Sequence, residues 1–139
     1  MIKNVSYRNK KTEEEIEDLV GKSYSFLERI KMNGNGSPRL IVLNASEKIL
    51  TLLEKDNYIN YCHVEVRPGG IIVGLRSKLE SYSWCIPFYK LFISQNNQGY
   101  RIYSDTEHVV VQSGKSNVGA FFRKLMNYKK EYLEKENFT

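Results

Sequence analysis

Two cysteines and two histidines are the side chains of this sequence best suited to nucleophilic or metal chemistry. Cys62 and His63 are adjacent, so on a strand they point to opposite faces and cannot form a nucleophile–base pair. Cys85 and His108 stand apart from them, and no Cys-x-x-Cys spacing occurs. A tetrahedral zinc site would need all four residues to converge. We therefore expect no catalytic residue, no metal, no cofactor and no disulfide, with each cysteine acting as a small buried side chain.

A second chemical signal is Gly114-Lys115-Ser116, which follows an apolar strand and precedes a helical pattern. This order matches the end of a phosphate-binding P-loop, in which Lys and Ser reach phosphates and magnesium. The full motif also needs a glycine five positions before Gly114, where this chain has Val109. The pattern favours a plain strand-to-helix turn with Ser116 or Asn117 as N-cap. A helix N-terminus beside Lys115 leaves room for a lone anion.

Positive charge is concentrated in the second half of the chain. Residues 57–130 carry ten basic and four acidic side chains, whereas residues 1–56 carry ten and nine. Many aromatic side chains lie in the same region, and aromatic and basic residues interleaved on a sheet can stack bases and hold phosphates. Tyr and Phe are equally typical of any half-buried strand. We expect an anionic ligand to meet this region at Arg67, Arg76, Lys78, Tyr82, Trp84 and Lys90.

These six residues are chosen from their places around two predicted hairpins. Arg67 and Arg76 flank a turn at Pro68-Gly69, which puts them on neighbouring strands, and Lys78 and Lys90 bracket the strand that holds Trp84. Cations at one rim of a curved sheet would make an anion site. The competing interpretation is that they solvate loops and strand edges, where Lys also discourages aggregation.

The elements that must position these residues begin with a helix predicted over about 12–32. Thr12 and Glu15 have capping-box spacing, and apolar residues recur at helical spacing as far as Ile30. The glycines and the proline in residues 34–38 end this helix. Residues 40–43 read as a short buried strand. Residues 44–56 fit either a helix or the turn and second strand of a hairpin, and the strand-like sequence that follows favours the hairpin.

Residues 58–112 are rich in Tyr, Val, Ile and Phe, with turn residues at regular intervals. Hairpin-length connections predict an antiparallel meander, not a parallel sheet joined by crossovers. A closing helix is predicted over about 118–135. The fold class is therefore α+β, an antiparallel meander with an N-terminal and a C-terminal helix. A pleckstrin-homology-like half-barrel has the same outline, a likeness of topology alone.

Length and composition bound the function. The 139 residues suit one globular domain spanning 1–139, with mainly β structure over 39–112. No apolar run reaches the roughly 18 residues of a membrane span, and residues 1–8 lack the apolar stretch of a secretory signal. We expect a cytoplasmic, non-catalytic binding domain whose partner is a protein or an anionic ligand. The alternatives are a nucleic-acid-binding protein and an enzyme. In an enzyme, geometry permits His63 and Cys85 on different strands to form a nucleophile–base pair.

Overall fold

The computed structural model of the chain describes residues 1–53, 60–77, 80–112 and 118–137. The strands in these residues are β1 (Ile2–Asn4), β2 (Leu40–Ala45), β3 (Tyr61–Arg67), β4 (Gly70–Arg76), β5 (Ser81–Pro87), β6 (Phe92–Gln95), β7 (Tyr100–Ser104) and β8 (Glu107–Gln112). The helices are α1 (Lys10–Val20), α2 (Phe26–Lys31), α3 (Glu47–Leu53) and α4 (Val118–Asn137), with a 3₁₀ turn at Phe88–Lys90. None of the described helices is long and apolar enough to cross a bilayer.

All eight strands belong to one sheet in the order β1-β5-β4-β3-β2-β8-β7-β6. Every neighbouring pair is antiparallel. Two meanders, β2 to β5 and β6 to β8, are joined where β2 pairs with β8. The prediction of an α+β fold with an antiparallel sheet and helices towards both ends is thus confirmed. The short strand β1, which the sequence pattern did not indicate, adds an edge beside β5.

One face of the sheet, the inner face, carries the main core. Side chains alternate along β3, so that Cys62, Val64 and Val66 are buried while their neighbours face the other way. Trp84 of β5 joins them and is 2% exposed. The helices α3 and α4 supply further buried residues to the same core, namely Ile49, Leu53, Phe121, Phe122 and Leu125. The inner face is therefore closed to solvent along the middle of the sheet.

The opposite, outer face is covered in part by α1. Ile16 and Val20 of this helix pack against Ile72 of β4 and Cys85 of β5 in a second, smaller apolar cluster. The turn between β3 and β4 holds the end of the helix, because the Gly69 N–H donates to the Val20 carbonyl at 2.8 Å. The last carbonyls of a helix have no partner within it, so this bond satisfies one of them.

The predicted helix over 12–32 is two helices. Asn9, rather than Thr12, is the N-cap of α1, and it accepts a hydrogen bond from the Thr12 N–H. The helix ends at Gly21, whose φ of +92° suits glycine and disfavours other residues. A capping box between Ser25 and Glu28 then starts α2. The apolar stripe expected to pack along one helix is therefore divided, and its second half is exposed on α2.

The hairpin favoured for residues 44–56 is wrong over the part that the structure describes. Residues Glu47–Leu53 form α3, and residues 54–56 lie outside the described residues. Strand β2 already has β3 on one side and β8 on the other, so neither edge is free for a hairpin partner. Ser46 ties the start of α3 to β8, since its hydroxyl donates to the Glu107 carboxylate at 2.5 Å and accepts the His108 N–H.

Gly70 of β4 lies tightly against the backbone of β5, where a Cβ would lie 2.2 Å from the Ile86 carbonyl oxygen. We expect Gly70→Ala to lower the free energy of unfolding by about 3 kcal/mol, the upper end for overpacking, because backbone atoms must move. Gly36→Ala is the matched control, since its Cβ would meet its nearest atom at 3.9 Å. Urea denaturation measures both, and equal stabilities would contradict the packing described.

Candidate functional site

Of the site residues predicted from the sequence, Arg67, Arg76 and Tyr82 line one cavity on the sheet, whereas Trp84 and Lys90 do not line it. Arg67 lies opposite Gly70 at one end of β4, whereas Arg76 occupies the other end of that seven-residue strand. At about 3.3 Å per residue the two positions are roughly 20 Å apart. Arg67 and Arg76 are on neighbouring strands, as predicted, but not at one rim. Lys78 and the Gly114-Lys115-Ser116 segment lie outside the described residues.

Arg67 has a structural role at the end of α1. Its Nε donates to the Glu65 carboxylate at 2.5 Å, and its Nη1 donates to the Gly21 carbonyl at 2.9 Å. The side chain is 14% exposed. The guanidinium therefore satisfies a carbonyl at the helix terminus and is neutralised by Glu65, so it is not a free anion ligand.

The predicted aromatic residues face the core. Trp84 is buried opposite Val73 on the inner face, and Tyr82 lies on the same face and packs against that core. Lys90 follows β5, and its Nζ lies 3.7 Å from the Asp105 carboxylate. Trp84 is thus inaccessible to a ligand, which corrects its predicted role.

An open groove runs along the part of the outer face that α1 leaves uncovered. Its volume is about 780 Å³. The strand register explains its shape: His63 pairs with Gly74, and Gly74 pairs with Ser83. Directly paired residues of antiparallel strands point to the same face, so these three form one row across the sheet. We call this cavity the outer groove and define it by Arg39, Tyr61, His63, Gly74, Arg76 and Ser83.

The floor of the outer groove is Gly74, and the His63 ring lies over it. A Cβ on Gly74 would be 2.3 Å from His63 Cε1 and 2.5 Å from Nε2, so only glycine leaves the imidazole this position. Among the described residues, no hydrogen bond occupies either ring nitrogen of His63. The exposed imidazole is therefore available to a ligand in the groove.

Two guanidinium groups flank this floor. Arg39 lies over the ring of Tyr61, with its Cζ 4.1 Å from the ring centroid. Continuing the register of Leu40 with Cys62 places Arg39 opposite His63, and Arg76 pairs with Ser81 on the far side. Neither arginine forms an ion pair with a carboxylate in the part of the chain that the structure describes.

Among the described residues, the carboxylate that lines the groove is that of Glu65, and it already has a cationic partner. Glu65 forms an ion pair with Arg67. On α1, the carboxylate of Glu15 forms an ion pair with the Lys3 ammonium, with Nζ and Oε2 2.6 Å apart. The hydrogen bond from Lys3 holds the pKa of Glu15 below its ordinary value. Among the described residues, the uncompensated charge at the outer groove is therefore positive, from Arg39 and Arg76.

The cysteines are unsuited to nucleophilic chemistry in this fold. Cys62 points into the core while His63 points outwards, and burial raises the pKa of Cys62 to about 12. Cys85 lies under α1, where burial raises its pKa to about 11. Burial, with a smaller contribution from Arg101, lowers the pKa of His108. Within residues 1–53, 60–77, 80–112 and 118–137, no three Asp, Glu, His or Cys side chains cluster as metal ligands would.

Sequence analysis missed Arg39 and Tyr61 as site residues and considered His63 only for catalysis and metal binding. One signal was present: in β3 every second residue, starting from Tyr61, is polar or aromatic, which marks the solvent face. Gly74 in the middle of the next strand also indicated a close approach. Arg39 could not be joined to them, because its register with β3 depends on long-range pairing.

Comparison of the chain with protein families, with curated proteins and with solved structures finds no match. The outer groove is accordingly defined by the chain's own geometry: a glycine floor, an imidazole above it and two guanidinium groups beside it.

Arg67 also lines the groove, but its bonds to Glu65 and to the Gly21 carbonyl give it a structural role that Arg76 does not share. We expect Arg67→Ala to reduce the free energy of unfolding by about 1–3 kcal/mol, because Glu65 and the Gly21 carbonyl lose their charged partner. Arg76→Ala is the matched arginine control and should stay within about 0.5 kcal/mol of the parent. Urea denaturation compares them. Equal losses for the two variants would show that Arg67 does not hold the end of α1.

Proposed function

We propose that this chain is a non-catalytic binding domain of the cytoplasm whose outer groove takes a small anionic ligand. The observation that carries the proposal is the pair of guanidinium groups, Arg39 and Arg76, that have no carboxylate partner among the described residues. They lie on either side of an exposed imidazole on one face of the sheet. Separated by two strand spacings and two residues, their Cα atoms are on the order of 12 Å apart. That spacing suits a ligand with two charged groups.

The chemistry of the ligand follows from these side chains. A guanidinium offers a planar fork of donors that matches the oxygens of a phosphate or a carboxylate. The groove volume of about 780 Å³ falls within the range of roughly 300–1,000 Å³ that is usual for small-molecule sites. Ser83 and the ring nitrogens of His63 add further hydrogen-bonding groups at the floor. The ligand class is a small molecule with more than one phosphate or carboxylate group.

Binding is favoured over catalysis because the groove groups are not arranged for proton transfer. No described carboxylate or thiol lies within hydrogen-bonding distance of the His63 ring. A general base needs such a partner or a substrate proton within reach. Turnover that depended on His63 would support the competing enzyme hypothesis.

A nucleic-acid ligand remains the second candidate because of a different cluster. On β6 and β7 the rings of Phe92 and Tyr103 stack with centroids 5.3 Å apart. Arg101 lies over Tyr103 at 5.0 Å, and Lys129 lies over Phe92 at 5.0 Å. Aromatic rings with adjacent cations are the elements that bind single-stranded nucleic acid. The sequence of this region has no recognised nucleic-acid-binding motif.

The sheet is also proposed to have the curvature of a pleckstrin-homology-like half-barrel. Two meanders that share the β2–β8 pairing and a C-terminal helix packed on the inner face support this interpretation. Such a likeness concerns architecture and adds nothing about the ligand.

Calorimetric titration with inorganic pyrophosphate and with citrate tests the proposed site. We expect the parent protein to bind at least one of them, and the double variant Arg39→Ala/Arg76→Ala to bind at least tenfold more weakly. One hydrogen bond to a charged group contributes roughly 1.5–3 kcal/mol, which already exceeds a factor of about ten.

The matched control is Lys48→Ala/Lys90→Ala, which removes the same charge outside the groove. It should bind like the parent. An equal loss of affinity in the control would show that net charge, not the groove arginines, determines binding. Absence of binding to either anion would contradict the proposal. Binding of a single-stranded oligonucleotide that falls by orders of magnitude between about 50 and 200 mM salt, and that Arg101→Ala abolishes, would favour the second candidate.

A further inference from the structure

All six residues of the helix α2 are exposed. Three of them are large apolar side chains exposed to solvent close together: Phe26 is 69% exposed, Leu27 70% and Ile30 57%. At about 100° per residue these three lie within one arc of roughly 100° on the helix. We call them the α2 apolar face.

Charge is distributed around this face in a defined way. On the same helical projection, Arg29 falls next to Phe26 and Lys31 falls next to Leu27, so a basic residue borders the face on each side. Glu28, the acidic residue of the helix, falls on the reverse. Over residues 21–38 the chain has three basic side chains and one acidic one.

The residues that flank α2 hold it in place. Tyr24 before the helix and Met32 after it pack against the main core. Lys124 of α4 donates hydrogen bonds to the carbonyls of Met32 and Gly34. The capping box of Ser25 and Glu28 defines the first turn. The apolar face is thus presented by a helix anchored at both ends.

We propose that α2 docks on the surface of an anionic lipid bilayer, with its apolar face inserted at the headgroup–acyl boundary and its basic residues at the headgroups. Apolar side chains bordered by Lys and Arg are what interfacial helices use, and the positive charges add attraction to anionic lipids. This inference is independent of the outer groove.

Two other occupants fit the observations less well. A symmetric contact between two copies of this face would bring Arg29 and Lys31 of both copies together, which is repulsive. A folded protein partner needs about 800 Å² from each side for a stable interface, which three side chains on a six-residue helix do not supply. Binding to a bilayer instead grows with the apolar area inserted and with the attraction between basic side chains and anionic lipids, so a small apolar face with basic neighbours contributes to it.

Sedimentation with lipid vesicles tests the proposal. The probes are vesicles of phosphatidylcholine alone and vesicles with equimolar phosphatidylserine. We expect the parent protein to bind the anionic vesicles at least about tenfold more tightly, with binding that weakens as salt screens the charges. Phe26→Gln/Leu27→Gln should weaken this binding at least about tenfold, and Arg29→Gln/Lys31→Gln should remove the preference for anionic lipid.

The control is Leu50→Gln/Tyr89→Gln, which removes two large side chains that are 36% and 62% exposed elsewhere. It should bind like the parent. Because every substituted residue is exposed and Gln is compatible with a helix, circular dichroism should show the parent fold. Lack of vesicle binding, or binding that the α2 variants leave unchanged, would overturn the proposal. A concentration-dependent oligomer that Phe26→Gln/Leu27→Gln disperses would also overturn it, in favour of a second copy.

Discussion

The free carbonyl groups at the end of α1 set the layout of the outer face. A helix leaves its last carbonyls without internal partners, and here the turn between β3 and β4 supplies the donors. The Gly69 N–H bonds to Val20 and the Arg67 guanidinium bonds to Gly21. These two bonds attach the helix at one end of β4, over Ile72. The row across His63, Gly74 and Ser83 therefore stays open.

The open row and the covered row differ in chemistry as well as in position. Under α1 the sheet presents Ile72 and Cys85, whose apolar surface needs a covering helix. Beyond it, Gly74 removes a side chain from the middle strand, and the His63 ring fills part of that space. The result is a shallow polar groove in which Arg39 and Arg76 lack anionic partners among the described residues. Glu65 cannot neutralise them while it is paired with Arg67.

The sequence was informative where local signals decide the structure. Turn residues between 58 and 112 predicted the antiparallel order, and α4 begins at Val118 as the apolar spacing indicated. Residues 47–53 were predicted as part of a hairpin but form a helix. The second edge of β2, which the hairpin would have used, is occupied by β8, a strand more than fifty residues later in the chain. Arg67 was assigned to the ligand for a similar reason: its partner Gly21 is 46 positions away. Arg39 and His63 become neighbours only through strand register, which composition and charge counts do not reveal.

We propose that Arg39 and Arg76, which have no carboxylate partner among the described residues, bind the ligand of the outer groove, whereas Arg67 is committed to the fold. The Nε–H resonances of the arginine side chains, followed in proton–nitrogen correlation spectra during titration with pyrophosphate, test it directly. We expect the Nε–H signals of Arg39 and Arg76 to shift with a common affinity. The Arg67 Nε–H, already bonded to Glu65, should exchange slowly with water, and its signal should not move. A shift of the Arg67 signal with the other two unchanged would contradict these assigned roles.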